Sequence, residues 1–166
     1  MDTPTCAFVQ LQQIISHSLD FLYSGTDSPS GLQRKCDYLK VISSFDAQLR
    51  AWWIEWGNDS QSPYHPYLDF QYHYASLVLN SFGLQNALES TDAKIHLSYF
   101  FNKVYTTSEH CAMLVRDRVP KGTLGYFPDT CFVQMSYAVL SLLKVSFSFF
   151  FPLFSLKYFT FFVWHV

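Results

Sequence analysis

Three stretches of this 166-residue chain hold side chains of the types that do chemistry. Glu109-His110-Cys111 sets an acid, an imidazole and a thiol side by side, the components of a nucleophilic relay. On a helix, however, adjacent side chains diverge by about 100° and do not reach a common atom. Cys/His catalytic pairs ordinarily meet from distant segments, so the run is given no catalytic role. His65 and His73 stand eight residues apart. A metal-binding helix presents two His at i and i+4 with a carboxylate, and this pair lacks that spacing. Arg116, Arg118 and Lys121, interrupted by Asp117, read as a solvated helix end where the dipole favours cations. No G-x-S-x-G elbow, G-x-x-x-x-G-K phosphate cradle or dinucleotide fingerprint occurs. The chain is therefore expected not to be an enzyme, with no catalytic, cofactor-binding or metal-ligating residues.

The four cysteines, Cys6, Cys36, Cys111 and Cys131, form no C-x2-C pair of the kind that ligates zinc. The opening Met-Asp-Thr-Pro has no basic n-region and no apolar h-region. The thiols are accordingly expected to be reduced, mostly buried small hydrophobes, and the sequon Asn58-Asp59-Ser60 is read as a chance match. A formal net charge of −2 argues against a broad basic surface for nucleic acid. With 14% charged and 19% aromatic residues the chain is too apolar for an ordinary disordered tail.

The elements that would position these residues are helices. Thr3-Pro4 is a good helix start, and Phe8, Leu11, Ile15, Leu19 and Leu22 follow at spacings of three and four, ending at Ser24-Gly25. A turn-rich loop covers Thr26 to Gly31. A second helix is expected from near Ser30, with Leu32, Cys36, Leu39, Ile42, Leu49, Trp52 and Trp56 on one face and Gly57-Asn58 as its stop. Trp53 points about 100° away from Trp52 and Trp56, toward a second neighbour. A third helix, with Pro66 in its first turn, carries Leu68, Tyr72, Ala75, Leu79 and Phe82 on one side and is expected to end at Gly83.

A fourth helical stretch follows the Ser90-Thr91-Asp92 cap, with Ile95, Tyr99 and Phe100 apolar. The run Tyr105-Thr106-Thr107-Ser108 either carries it on or breaks it, Ser108 then capping a further helix with Cys111, Leu114 and Val115 that Pro120 and Gly122 close. Lys121 to Pro128 reads as a loop. Asp129 or Thr130 caps a final helix with Phe132, Met135, Val139, Leu142 and Leu143 apolar. No polar/apolar alternation bounded by hairpin turns is present. The expected class is all-α, an irregular multi-helix domain with an apolar C-terminal tail.

Two stretches resemble the regulatory domain of fungal zinc-binuclear-cluster transcription factors. One is Tyr72-His73-Tyr74-Ala75-Ser76-Leu77-Val78-Leu79-Asn80-Ser81, preceded by the Trp-rich helix. The other runs from Arg116-Asp117-Arg118-Val119-Pro120-Lys121-Gly122-Thr123-Leu124-Gly125-Tyr126-Phe127-Pro128-Asp129 through Cys131-Phe132-Val133 to Ser136-Tyr137-Ala138-Val139-Leu140-Ser141-Leu142-Leu143-Lys144. The resemblance covers roughly residues 30 to 144 and looks nearest to activators of secreted-protease genes. It implies a helical regulatory domain of a nuclear transcription factor controlling RNA polymerase II transcription, acting through contacts with the rest of the factor and the transcriptional machinery. The six-cysteine zinc cluster that reads DNA in such proteins has no counterpart here. Zinc and direct DNA contact would therefore belong to a part of the factor outside this chain.

Residues 1–144 are accordingly expected to form the regulatory domain fragment, and residues 145–166 a separate Phe-rich tail. The tail holds eight of the seventeen Phe residues, one Lys and no acid. As a helix its 22 residues would span about 33 Å. Lys157 near its middle and Pro152 both oppose a membrane span. A splice donor GTAAGT read in frame encodes Val-Ser, which matches Val145-Ser146, so translated intron is the expected origin. The competing reading is a tail-anchored membrane protein, touching the membrane only through 145–166.

Overall fold

Every polar backbone group in a buried segment needs a partner, and the described residues meet that demand with five helices. The computed structural model describes residues 3–25, 31–33, 36–89, 96–118 and 129–150. The helices are α1 (Thr3–Leu22), α2 (Tyr38–Trp56), α3 (His65–Glu89), α4 (Leu97–Arg118) and α5 (Asp129–Phe150). The described residues are all-α, as the periodicity predicts. The Ser90-Thr91-Asp92 cap, Ile95, most of the Thr26–Gly31 turn, the family-like loop at 119–128 and the tail beyond Phe150 lie outside the described residues.

Helix α3 is the axis of the molecule. It packs against each of the other four helices, most extensively against α4, while α4 also carries α5 and α1 leans on α2. No residue of α3 from His65 to Leu88 is exposed. The sequence assigns this helix one apolar side; the structure buries it on every side, as befits a helix enclosed by neighbours. Most of its buried polar groups are satisfied locally or across the interface, Asn80 Oδ1 being buried without a partner among the described residues. Ser81 Oγ donates to Leu77 O at 2.8 Å, Asn80 Nδ2 to Ser76 O at 2.8 Å, and Gln71 Nε2 to Gln134 Oε1 on α5 at 2.8 Å.

The tryptophans divide as their helical angles require. Trp52 Nε1 donates to Ala7 O at 2.8 Å and Trp56 Nε1 to Gln10 Oε1 at 2.7 Å, so both lock α2 to α1. Trp53 faces the other way and stacks on Tyr72 of α3, with ring centroids 5.1 Å apart. Gly57 ends α2 beneath the Trp53 ring, where a Cβ would collide with the indole.

Several helix ends differ from those expected. Helix α2 begins at Tyr38 because the Asp37 carboxylate accepts from the Lys40 N–H at 3.2 Å. Leu32 is buried ahead of the helix, where the Gln33 N–H bonds Leu22 O at 2.8 Å. Helix α3 passes through Gly83 without stopping, because the glycine serves close approach: a Cβ there would overlap the fully buried Phe100 ring of α4. Helix α4 is continuous across Thr106, Thr107 and Ser108, whose hydroxyls bond back to the carbonyls of Asn102, Lys103 and Val104 at 2.9, 2.7 and 2.7 Å. The hydroxyls are thus satisfied within the helix by carbonyls one turn back, without interrupting it. Helix α5 crosses the compositional break at Lys144–Val145 and buries Val145.

Two outcomes follow from this packing. Gly83→Ala gains helix propensity yet is expected to lose about 1–3 kcal/mol by overpacking against Phe100, measured by urea unfolding; a stabilised variant would show that α3 and α4 do not approach this closely. Tyr74 is raised to about 12 from 10.0, by burial first and then by Tyr137 and Cys111. Its folded pKa lies above its unfolded one, so its contribution is complete below pH 10 and is lost as pH rises toward 12. Melting temperature is expected to fall across that window, and Tyr74→Phe to flatten the fall.

Candidate functional site

The chemistry-bearing residues of the sequence do not stay together in the fold. Glu109, His110 and Cys111 take three directions from α4. Glu109 receives a 3.5 Å contact from the Tyr105 hydroxyl, Cys111 enters the core, and His110 reaches α3. Burial, reinforced by the Asp69 charge, pushes the Cys111 thiol up to about 12. Burial also raises Cys36 and Cys131, and all four cysteines are free thiols. None of these three shifted groups offers the lowered pKa that marks a reactive thiolate.

What the fold does bring together is a carboxylate and two imidazoles. Asp69 and His73 stand at i and i+4 on α3, so they share one face; His110 comes to the same point from α4. His73 Nε2 is 3.3 Å and His110 Nε2 3.7 Å from the same oxygen, Asp69 Oδ1. The two imidazole rings lie 3.7 Å apart at an interplanar angle of 33°. One potential ligand atom from each of the three residues falls within 4.8 Å of the others. The Asp69 and His73 side chains are 15% and 23% exposed and His110 46%, so the trio has an enclosed floor and an open side.

The electrostatics follow from that placement. Burial acts to raise the Asp69 carboxyl; the facing imidazoles, His73 first and then His110 and His65, outweigh it and hold the group below its usual range. His110 is held below the usual imidazole range by burial and by His73, against the pull of Asp69. His65 is one turn before Asp69 on the same stripe, but its ring packs against Trp53 at 5.6 Å. The i, i+8 comparison of His65 with His73 thus passes over the pair that matters. The Asp69–His73 spacing is legible in the sequence; the arrival of His110 is not, because it depends on how α4 lies on α3.

A second surface stands apart. Phe132, Val133, Val139, Leu140, Leu143 and Phe147 are all exposed, and at 100° per residue they fall within one arc of about 120° on α5. The opposite side carries the buried Cys131, Ala138, Ser141 and Val145. The sequence treats Phe132, Val139 and Leu143 as part of one apolar set with Met135 and Leu142; in the fold they point outward, because α3 and α4 cover only the other face. Arg116 is held at the surface by two bonds to Asp117, of 2.6 and 2.7 Å. The Arg118 side chain and Lys121 lie outside the described residues.

Among protein families, curated proteins and solved structures, none matches this chain.

Asp69 is what holds the His110 pKa up against burial and His73. Asp69→Asn is therefore expected to move the His110 pKa further down, read from imidazole resonances in an NMR pH titration. An unchanged His110 would mean that the two side chains do not face each other in solution.

Proposed function

We propose that the chain is part of the regulatory domain of a nuclear transcription factor and acts through protein contacts, not catalysis. The observation that supports this reading is the outward face of α5. Six large apolar residues on one arc, related by spacings of three, four and seven, form the surface an amphipathic helix packs on. The occupant we assign to it is a helix from the rest of the same factor's regulatory domain. Covering this face would remove a contiguous apolar patch that otherwise favours aggregation. The family resemblance of residues 30 to 144 supplies the transcriptional context, and the DNA-reading zinc cluster belongs to a different part of such a factor.

A second reading draws on the same helix. Residues Asp129–Phe147 form a helix long and apolar enough to cross a membrane, which would make the chain a membrane-anchored protein with a helical cytosolic domain. Against it, Gln134 of α5 exchanges two amide contacts with Gln71, of 2.8 and 3.3 Å, and these would have to break for α5 to enter a bilayer.

The two readings separate in a fungal cell. Fused to a heterologous DNA-binding domain, the chain is expected to change a polymerase II reporter several-fold. The double variant Val133→Glu, Leu140→Glu is expected to abolish that change while leaving helix content by circular dichroism intact. An unchanged reporter, with the chain in a carbonate-resistant membrane pellet, would overturn the regulatory reading.

A further inference from the structure

We propose that Asp69, His73 and His110 form a binding site for a divalent transition-metal ion of the zinc class, fastening α3 to α4. The inference is independent of the transcriptional reading, since it rests on side-chain geometry alone.

The spacing of the three groups fits a metal better than it fits hydrogen bonding. A charge-assisted N–H···O contact is ordinarily about 2.7–2.9 Å, and both imidazole nitrogens stand farther than that from Asp69 Oδ1, at 3.3 and 3.7 Å. Ligand bonds of about 2.0–2.2 Å at tetrahedral angles place neighbouring donor atoms about 3.3–3.6 Å apart. The two separations from Asp69 Oδ1 fall on or next to that edge length, and all three donor atoms lie within 4.8 Å of one another. The closeness of the two rings bears on their charge. Two imidazoles 3.7 Å apart repel if both are charged, whereas an ion taking one nitrogen from each uses them neutral and leaves the carboxylate to offset its charge. Two imidazoles and one carboxylate are a borderline donor set, suited to zinc and its first-row neighbours and poorly suited to magnesium or calcium.

The supporting elements place the donors with little freedom. Asp69 and His73 are separated by one turn of α3, a helix with no exposed residue from His65 to Leu88, so their mutual geometry is set by the backbone. His73 is backed by the Tyr72 ring at 5.0 Å. His110 is the half-exposed donor, and the fourth coordination position opens to solvent on its side. Because one donor belongs to α4 and two to α3, the ion would bind the folded chain and not the unfolded one, and would stabilise the α3–α4 contact by linkage.

The test uses the full chain, dialysed free of metal, with Zn2+ and Co2+ as probes. Zn2+ is expected to bind with one-to-one stoichiometry by titration calorimetry and to raise the melting temperature. Co2+ is expected to give the visible bands of a low-symmetry site without a thiolate charge-transfer band in the near ultraviolet. Outer partners of a metal site alone cost roughly 10–100-fold in affinity, so His110→Ala, which removes a donor, is expected to weaken binding by more than about a hundredfold. His110 is half-exposed, so this variant keeps its helix content, checked by circular dichroism; His73→Ala gives the same loss from the α3 side. His17→Ala and His96→Ala serve as controls with unchanged affinity. Absence of binding to the parent chain, unchanged affinity in both donor variants, or a thiolate charge-transfer band showing cysteine ligation would each overturn the assignment.

Discussion

Enclosure of α3 is the constraint from which the remaining structure follows. A helix with no solvent-facing side must present something acceptable to each neighbour, and α3 does so with three different solutions. Toward α4 it offers Gly83, whose missing side chain lets Phe100 lie flush against the backbone. Toward α2 it offers the flat ring of Tyr72, on which Trp53 stacks. Toward α5 it offers Gln71, whose amide is answered by Gln134. The two tryptophans that tie α2 to α1 then close the outer layer from the far side.

The same enclosure produces the two features with chemical content. Because α3 is covered along its length, Asp69 and His73 are held at the α3–α4 seam and not out in water, and a side chain from α4 need travel only a short way to meet them. Because α5 is held through one face only, its other face is left apolar and outward. The first arrangement is the proposed ion site, and the second is the face proposed to receive a helix. Under the proposed regulatory reading the second face is the one used, and an ion at the first would tune how firmly α3 and α4 hold together.

The compositional break at Lys144 illustrates how far local patterning reaches. By residue type, Val145 begins a different kind of sequence, yet α5 runs through the junction and buries Val145 as it buries Ala138 two turns earlier. A helix continues wherever the next residue can bond back to the previous turn, whatever the composition beyond. For the same reason the Thr106-Thr107-Ser108 run, weak in helix propensity, remains helical, its hydroxyls bonding to carbonyls one turn back.

The existence and approximate order of the helices were legible in the sequence, because the 3.6-residue period is a local property that each segment carries by itself. So was the division of the tryptophans, since 100° per residue sends Trp53 away from Trp52 whatever the neighbours are. The all-round burial of α3, the passage of that helix through Gly83 and the outward turn of Phe132, Val139 and Leu143 were decided only by tertiary packing. The sequence also contained two of the three residues of the candidate metal site, in the one-turn spacing of Asp69 and His73. Its completion by His110 depended on the lie of α4 across α3, a relation between segments distant in the chain that no local spacing encodes.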